Sequence, residues 1–210
     1  MTMTDEGYIK YRCIRIEGDP PSPESVHVLN AYRQHMHTLG LIGHSSELNV
    51  DFGNISIRAP LPAQMIISGT QTGHLTTLSA EHYCLITDAD IEQNRVIYQG
   101  KIKPSSETLT HVAIYDLSAE IHGVIHVHAQ AQWQRLLYKI PTTAPDVAYG
   151  TSEMAREFQR LYRESELSEM GIAAMHGHAA GIISFGNDLE QAEQRLLKHL
   201  GVQAQNVSMP

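Results

Sequence analysis

The sequence predicts a layered α/β domain built on a largely antiparallel sheet, and three observations carry that prediction. Short β-branched runs cluster in the middle of the chain and are separated by turn chemistry. The segments on either side of them switch to helical period. No helical segment separates the middle strands, as parallel crossovers would require. At 210 residues the chain is most simply one domain, 1–210, with room for a substantial core.

The elements follow in order. "YIKYRCIRI" (8–16) alternates apolar and basic residues until the phase shifts near Cys13, so it reads as an edge strand or two short ones. "GDPPSPES" breaks it. A helix is expected from about Glu24, with Leu29, Tyr32, Met36 and Leu39 on one face and Gly40 as its stop. "NISIR", "QMIIS", "HYCLIT" and "NRVIYQG" are strands. After Pro104, "SSETLTHVAIYDL" is helical, with Leu109, Val112, Ala113 and Leu117 on its core face. "GVIHVH" is a strand, and "AQAQWQRLLYK" a short helix ending before Pro141. "TSEMAREFQRLYRE" is a helix and "GIISF" a strand. The last helix opens on a capping-box-like pair, Asn187 and Glu190. It buries Leu189, Ala192, Leu196 and Leu200 and ends at Gly201.

Charge and cysteine content narrow the function. A formal net charge of −8 argues against nucleic acid or an anionic membrane as the main partner. Cys13 and Cys84 make neither a disulfide framework nor a Cys-x-x-Cys knuckle, and read as small buried hydrophobes. The N-terminus has no apolar signal region, and no apolar run approaches the ~20 residues that span a bilayer. A cytoplasmic location is the expectation. Thirteen histidines are the unusual entry in the composition.

In "HGVIHVHAQ", residues 122–130, His126 and His128 are two apart on a strand and therefore share a face, spaced to hold one cation. His122 lies further out and reads as a surface residue. Further ligands are on offer. Glu107 is placed in the first turn of its helix, where a carboxylate can serve a metal, move a proton or simply suit the helix dipole. His111 is one turn along on the same face. His176 and His178 precede a strand, and spacing alone does not choose between them. Asn54, the Gly/Thr loop "SGTQTG", and Ser105 with Ser106 offer hydroxyls, amides and a helix start, which is equipment for a phosphate or carboxylate. No dinucleotide fingerprint and no Walker loop occurs.

These motifs, in this order, resemble the class II aldolase/adducin family over residues from about 25 to 200. "GNISIR" resembles its Gly-Asn-x-Ser turn and "IISGTQTG" its phosphate loop. "KPSSETLTHVAIY" is similar to the Pro-Ser-Ser-Glu segment, "GVIHVHAQ" to the metal-binding His-x-His, and "AYGTSEMA" to the Tyr-Gly-Thr helix start. "GHAAGIISFGNDLEQA" resembles the third-histidine segment.

The resemblance implies a three-layer α/β/α fold. It implies a divalent metal, usually Zn²⁺ with Mn²⁺, Co²⁺ or Fe²⁺ as alternatives, on His126, His128 and a third histidine, for which His178 fits better than His176. Glu107 becomes the fourth ligand or the acid/base. The phosphate site becomes Asn54, Gly69, Thr70, Thr72, Gly73, Ser105 and Ser106, with the loop fitting in two registers. The implied activity is reversible aldol cleavage of a small, phosphorylated keto-sugar through a metal-bound enediolate. A sugar-phosphate 4-epimerase or decarboxylase and an adducin-like interaction domain are the alternatives. A homotetramer is implied as well. Two departures stand out. The aldolases carry a catalytic tyrosine after "IP", and here the corresponding place is near Pro145. The stretch at about 1–23, absent from the shortest members, reads as an added edge strand or subunit contact.

Overall fold

A computed structural model of the chain describes residues 7–61 and 64–202. The first six residues of the expected extension and the tail from 203 lie outside the described residues. The first half runs β1 (Arg12–Arg15), α1 (Pro23–Thr38), β2 (Gly43–Ser45), β3 (Val50–Phe52), β4 (Asn54–Arg58), β5 (Met65–Ser68), β6 (Tyr83–Asp90) and β7 (Arg95–Gln99). The second runs α2 (Thr108–Leu117), β8 (Gly123–His128), α3 (Gln130–Leu136), α4 (Ser152–Glu164), α5 (Leu167–Met170), β9 (Ile172–Ala174), β10 (Gly181–Gly186) and α6 (Leu189–Leu200).

Eight strands form one sheet in the order β1-β7-β6-β5-β4-β8-β10-β9, and β2 with β3 forms a separate ribbon. Neighbours in the large sheet are antiparallel except the outer pair β1–β7, which is parallel. The expected edge strand is thus present, in the second half of the 8–16 run. Among the described residues no helix is long and apolar enough to cross a membrane.

Alternation along β8 makes three layers. Ile125 and Val127 enter a core shared with α1, α3 and α6, whereas Val124 enters one shared with α2 and α4. His126 and His128 have the parity of Val124 and so leave the sheet on the α2/α4 side. Asn54 on β4 pairs with His126, and Gly181 on β10 pairs with His128, so these residues share that face. The absent side chain at Gly181 leaves room for the His178 ring, which a Cβ there would meet at 3.2 Å.

Caps set the helix starts. Ser22, Thr151 and Asp188 accept backbone N–H groups of Ser25, Met154 and Gln191, opening α1, α4 and α6. For α6 this corrects the expected Asn187/Glu190 pair by one residue: Asp188 is the cap, and Asn187 donates its N–H to Gln191 Oε1 at 3.0 Å. Helix α2 also starts later than expected, at Thr108 and not at the Ser105 that opens the helical run. Glu107 occupies the cap position, with φ −89° and ψ 7°, because the turn from Ser105 to Thr108 precedes the helix. On its core face Leu109 and Ala113 are buried, while Val112 and Leu117 are only partly so. β2, β3, α5 and β9 are elements that the hydrophobic pattern does not announce.

Candidate metal centre

His126, His128 and His178 converge. Each offers a ring nitrogen, and the three nitrogens lie within 4.8 Å of one another. The ring centroids are 4.7 to 5.1 Å apart. His126 and His128 reach this point by strand parity alone, and His128 is steadied by the Phe52 ring stacked on it at 5.3 Å.

His178 arrives through two consecutive turns, its N–H donating to Met175 O and its carbonyl accepting from Gly181 N. Gly177 is required there, since a Cβ would sit 1.8 Å from Val147 O. The same turn sends His176 elsewhere. His176 Nδ1 is hydrogen-bonded to the Tyr138 hydroxyl at 2.6 Å, and its ring packs edge-on to Trp133. Of the two candidate third histidines, the geometry brings only His178 to the cluster.

Glu107 comes in from the α2 layer. Its Oε1 lies 3.3 Å from His178 Nδ1, and its Oε2 accepts from the Thr110 hydroxyl at 2.8 Å. The carboxylate makes no capping bond to the helix amides. Glu107, His126 and His178 are each at most 3% exposed.

A buried cluster of this kind could hold a metal ion. His126 Nε2 has no hydrogen-bond partner among the described residues, and leaving such a group unpaired costs about 1–3 kcal/mol. Burial first, then the neighbouring imidazoles of His178, His128 and His111, hold His126 well below the usual imidazole pKa, so it is neutral, the form that binds metals. The Asn54 amide lies 3.1 Å from His126 Nδ1 through Nδ2, while Oδ1 is buried and without a partner among the described residues. A half-turn of the amide satisfies both groups, since Oδ1 then accepts from Nδ1–H and frees the Nε2 lone pair. Three imidazoles and a carboxylate fit a divalent cation such as zinc.

The expected anion-binding residues face the same centre. Asn54, the loop Gly69–Gly73, Ser105 and Ser106 line one narrow cavity with Glu107, His126 and His178. It has about 20 Å³ of room, enough for one ion or water. Gly7, Thr70 and Gln71 are shared with an open recess of about 520 Å³, which also takes in Leu48–Val50 and Lys103. Within the loop the amides of Gly69 and Thr70 are committed to His82 O and Lys103 O. The Thr72 hydroxyl closes the loop on Gly69 O at 2.9 Å.

Arg33 was not foreseen, and Tyr149, expected only as the structural tyrosine of the Tyr-Gly-Thr helix start, touches the cluster. Arg33, buried in α1, donates to the carbonyls of Thr72, Gly73 and Thr76 and so pins the loop from beneath. Its place in a helix face reads only as an interruption of the apolar pattern. Tyr149 stacks on His178 at 4.5 Å and 27°. His111 departs from expectation: its ring leaves Glu107 for the core, where Nδ1 meets Ser56 Oγ at 2.7 Å.

Comparisons with known proteins bear on the family and the fold. The model of the Class II Aldolase and Adducin N-terminal domain matches residues 34–199. An L-fuculose 1-phosphate aldolase superposes with a TM-score of 0.64 at 16% identity, covering 91% of this chain and 92% of that one. A sugar-phosphate aldolase from Thermotoga maritima gives 0.64 at 17% identity, over 85% and 91% of the two chains. YgbL from Escherichia coli, a candidate aldolase/epimerase/decarboxylase, gives 0.61 at 17%, over 86% of each.

Proposed function

This chain belongs to the class II aldolase and adducin family, and from that premise we propose that it is a divalent-metal-dependent lyase that reversibly cleaves a small, phosphorylated keto-sugar by aldol chemistry. The observation that carries the proposal is the cluster of His126, His128 and His178 with Glu107 beside it, at a cavity that His126, His178 and Glu107 line together with Ser105 and Ser106. His126, His128 and His178 would hold the ion, zinc first and manganese, cobalt or iron otherwise, with Glu107 as fourth ligand or as acid/base. Bound there, the ion would act as a Lewis acid on the substrate carbonyl.

The chain's own groups do the remaining work. Ser105 and Ser106, at the start of α2, would donate to the phosphate and fix the sugar by its unreactive end, with the Gly69–Gly73 loop and Asn54 beside them. The Glu107 carboxylate would take the proton of the hydroxyl that becomes the aldehyde as the C–C bond breaks, and as a carboxyl would return a proton to the carbon left electron-rich. In the synthetic direction its carboxylate takes that proton back. Phe52 and Tyr149, stacked on two of the histidines, shield the reacting atoms from water.

An epimerase or decarboxylase on the same scaffold is the second reading, and the lack of a tyrosine at Pro145 favours it. The test is metal content per chain by elemental mass spectrometry, followed by product analysis on a panel of keto-sugar phosphates. About one ion per chain with aldehyde release that Glu107→Gln abolishes supports the lyase. Metal with an epimerised or decarboxylated product moves the reaction to the second reading. Absence of metal after reconstitution leaves an adducin-like interaction domain. A homotetramer and a cytoplasmic location complete the proposal, for sizing and fractionation to check.

A further inference from the structure

His126 and His128 are held by the sheet itself, whereas Glu107 and His178 stand on connecting segments, and residues 8–11 reach the first of these directly and the second through Tyr149. Tyr8 donates its backbone N–H to the Tyr149 hydroxyl at 3.2 Å. Lys10 Nζ lies 3.6 Å from the centroid of the Tyr149 ring, the ring that stacks on His178. Tyr11 donates its hydroxyl to Ser105 O at 2.8 Å, and Ser105 Oγ in turn accepts the Glu107 N–H at 3.2 Å. Tyr11 and Tyr149 are both buried. Downstream, β1 is fastened to β7 over four residue pairs, Arg12 to Arg15 against Arg95 to Tyr98. Upstream, Gly7 packs so closely that a Cβ would meet Val50 Cγ2 at 2.8 Å.

We propose that residues 8–11 form a strap that sets the two segment-borne ligands against the two sheet-borne ones, with Lys10 and Tyr11 as its positioning residues. The proposal rests on the metal reading of the site. An ammonium over the face of an aromatic ring fixes the plane of that ring, and a ring stacked on an imidazole fixes the imidazole in turn. A hydroxyl on Ser105 O does the same for the turn that aims Glu107. Losing an outer partner of a metal ligand typically costs about 10- to 100-fold in metal affinity.

The test compares the full chain with Lys10→Met, Tyr11→Phe and, as a control on the same strand, Arg12→Gln. Zinc affinity is measured by competition with a chromophoric chelator, and the visible spectrum of the cobalt-substituted protein reports ligand geometry. The expected result is zinc binding weakened about 10-fold by Lys10→Met and by Tyr11→Phe, with altered cobalt bands. Arg12→Gln keeps parental values. Thermal melting by circular dichroism guards against lost folding; if Tyr11→Phe fails there, Lys10→Met, which leaves every backbone bond in place, decides alone. Parental affinity and spectrum in both variants overturn the strap and leave the metal reading standing. A parental chain that takes up no metal overturns both.

Discussion

Burial pushes the His111 imidazole down to about 3, with Ser56 Oγ on its Nδ1 and the Tyr115 hydroxyl 2.9 Å from that same oxygen. Its folded pKa lies below the unfolded value, so as pH falls the unfolded chain takes up the proton first. Stability is therefore lost from about pH 6.5 downward, at about 1.4 kcal/mol per pH unit, until the folded ring protonates as well. Urea unfolding of metal-free protein between about pH 7 and about pH 5 should show the parent's margin over His111→Gln shrinking by that slope. A margin that does not change with pH would mean the ring is charged inside the fold. At the centre itself, His126→Ala, His128→Ala and His178→Ala should each abolish stoichiometric metal, and His176→Ala should not. Equal loss from the last two would undo the choice of His178. Glu107→Gln should retain metal and lose turnover by about 10²- to 10⁴-fold. The histidine pair was legible because strand parity puts i and i+2 on one face. The attachment of Asn54 to His126 was not, since it depends on the pairing of β4 with β8 across 72 residues. Arg33 was hidden for the same reason: its partners are carbonyls of a loop about forty residues away.

At the scale of elements, Asp51 ties the β2–β3 ribbon to the loop that follows Gly73. His44 and His74 donate from Nδ1 to its two carboxylate oxygens, at 2.7 and 2.6 Å. Burial raises the Asp51 carboxyl, but the bonds from His74 and His44 outweigh it and leave it below the ordinary carboxylate range. The tie is therefore fully present above the unfolded carboxyl value and is lost as pH falls through the lower, folded one. Asp51→Asn at neutral pH should speed amide exchange in residues 69–74 and in the ribbon, and should raise KM more than it lowers kcat. Exchange at the parental rate in both segments would show that something else holds them. The strands β4 to β8 and β10 could be read from β-branched runs, and caps, breakers and glycine stops placed α1, α4 and α6 within a residue or two. β2, β3, α5 and β9 have three or four residues each, too few to express a period. The parallel pairing of β1 with β7 joins segments some eighty residues apart, and no local pattern encodes that.

For the molecule as a whole, the centre adds a junction between layers that also meet through packing and through hydrogen bonds such as that of Ser56 with His111. Its donors come from β8 in the sheet, from the start of α2, and from the turn ahead of β10. An ion held there stabilises the entire fold rather than one element, because unfolding any contributor releases it. The gain follows mass action: zinc at about a thousand times its dissociation constant adds about 4 kcal/mol. In a chain of this size each kcal/mol moves the melting temperature by about 2–4 °C, so loading should raise it by roughly 10 °C. Chelator should reverse that rise in a single transition followed equally by far-ultraviolet circular dichroism and tryptophan fluorescence. Trp133 lies in α3 beside His176, outside the centre, so its signal moving together with the helices would indicate a global effect. His128→Ala should melt at one temperature with or without zinc, whereas His176→Ala should keep the full shift. A parental chain that melts identically in chelator and in zinc would mean that the three imidazoles stand together without holding an ion.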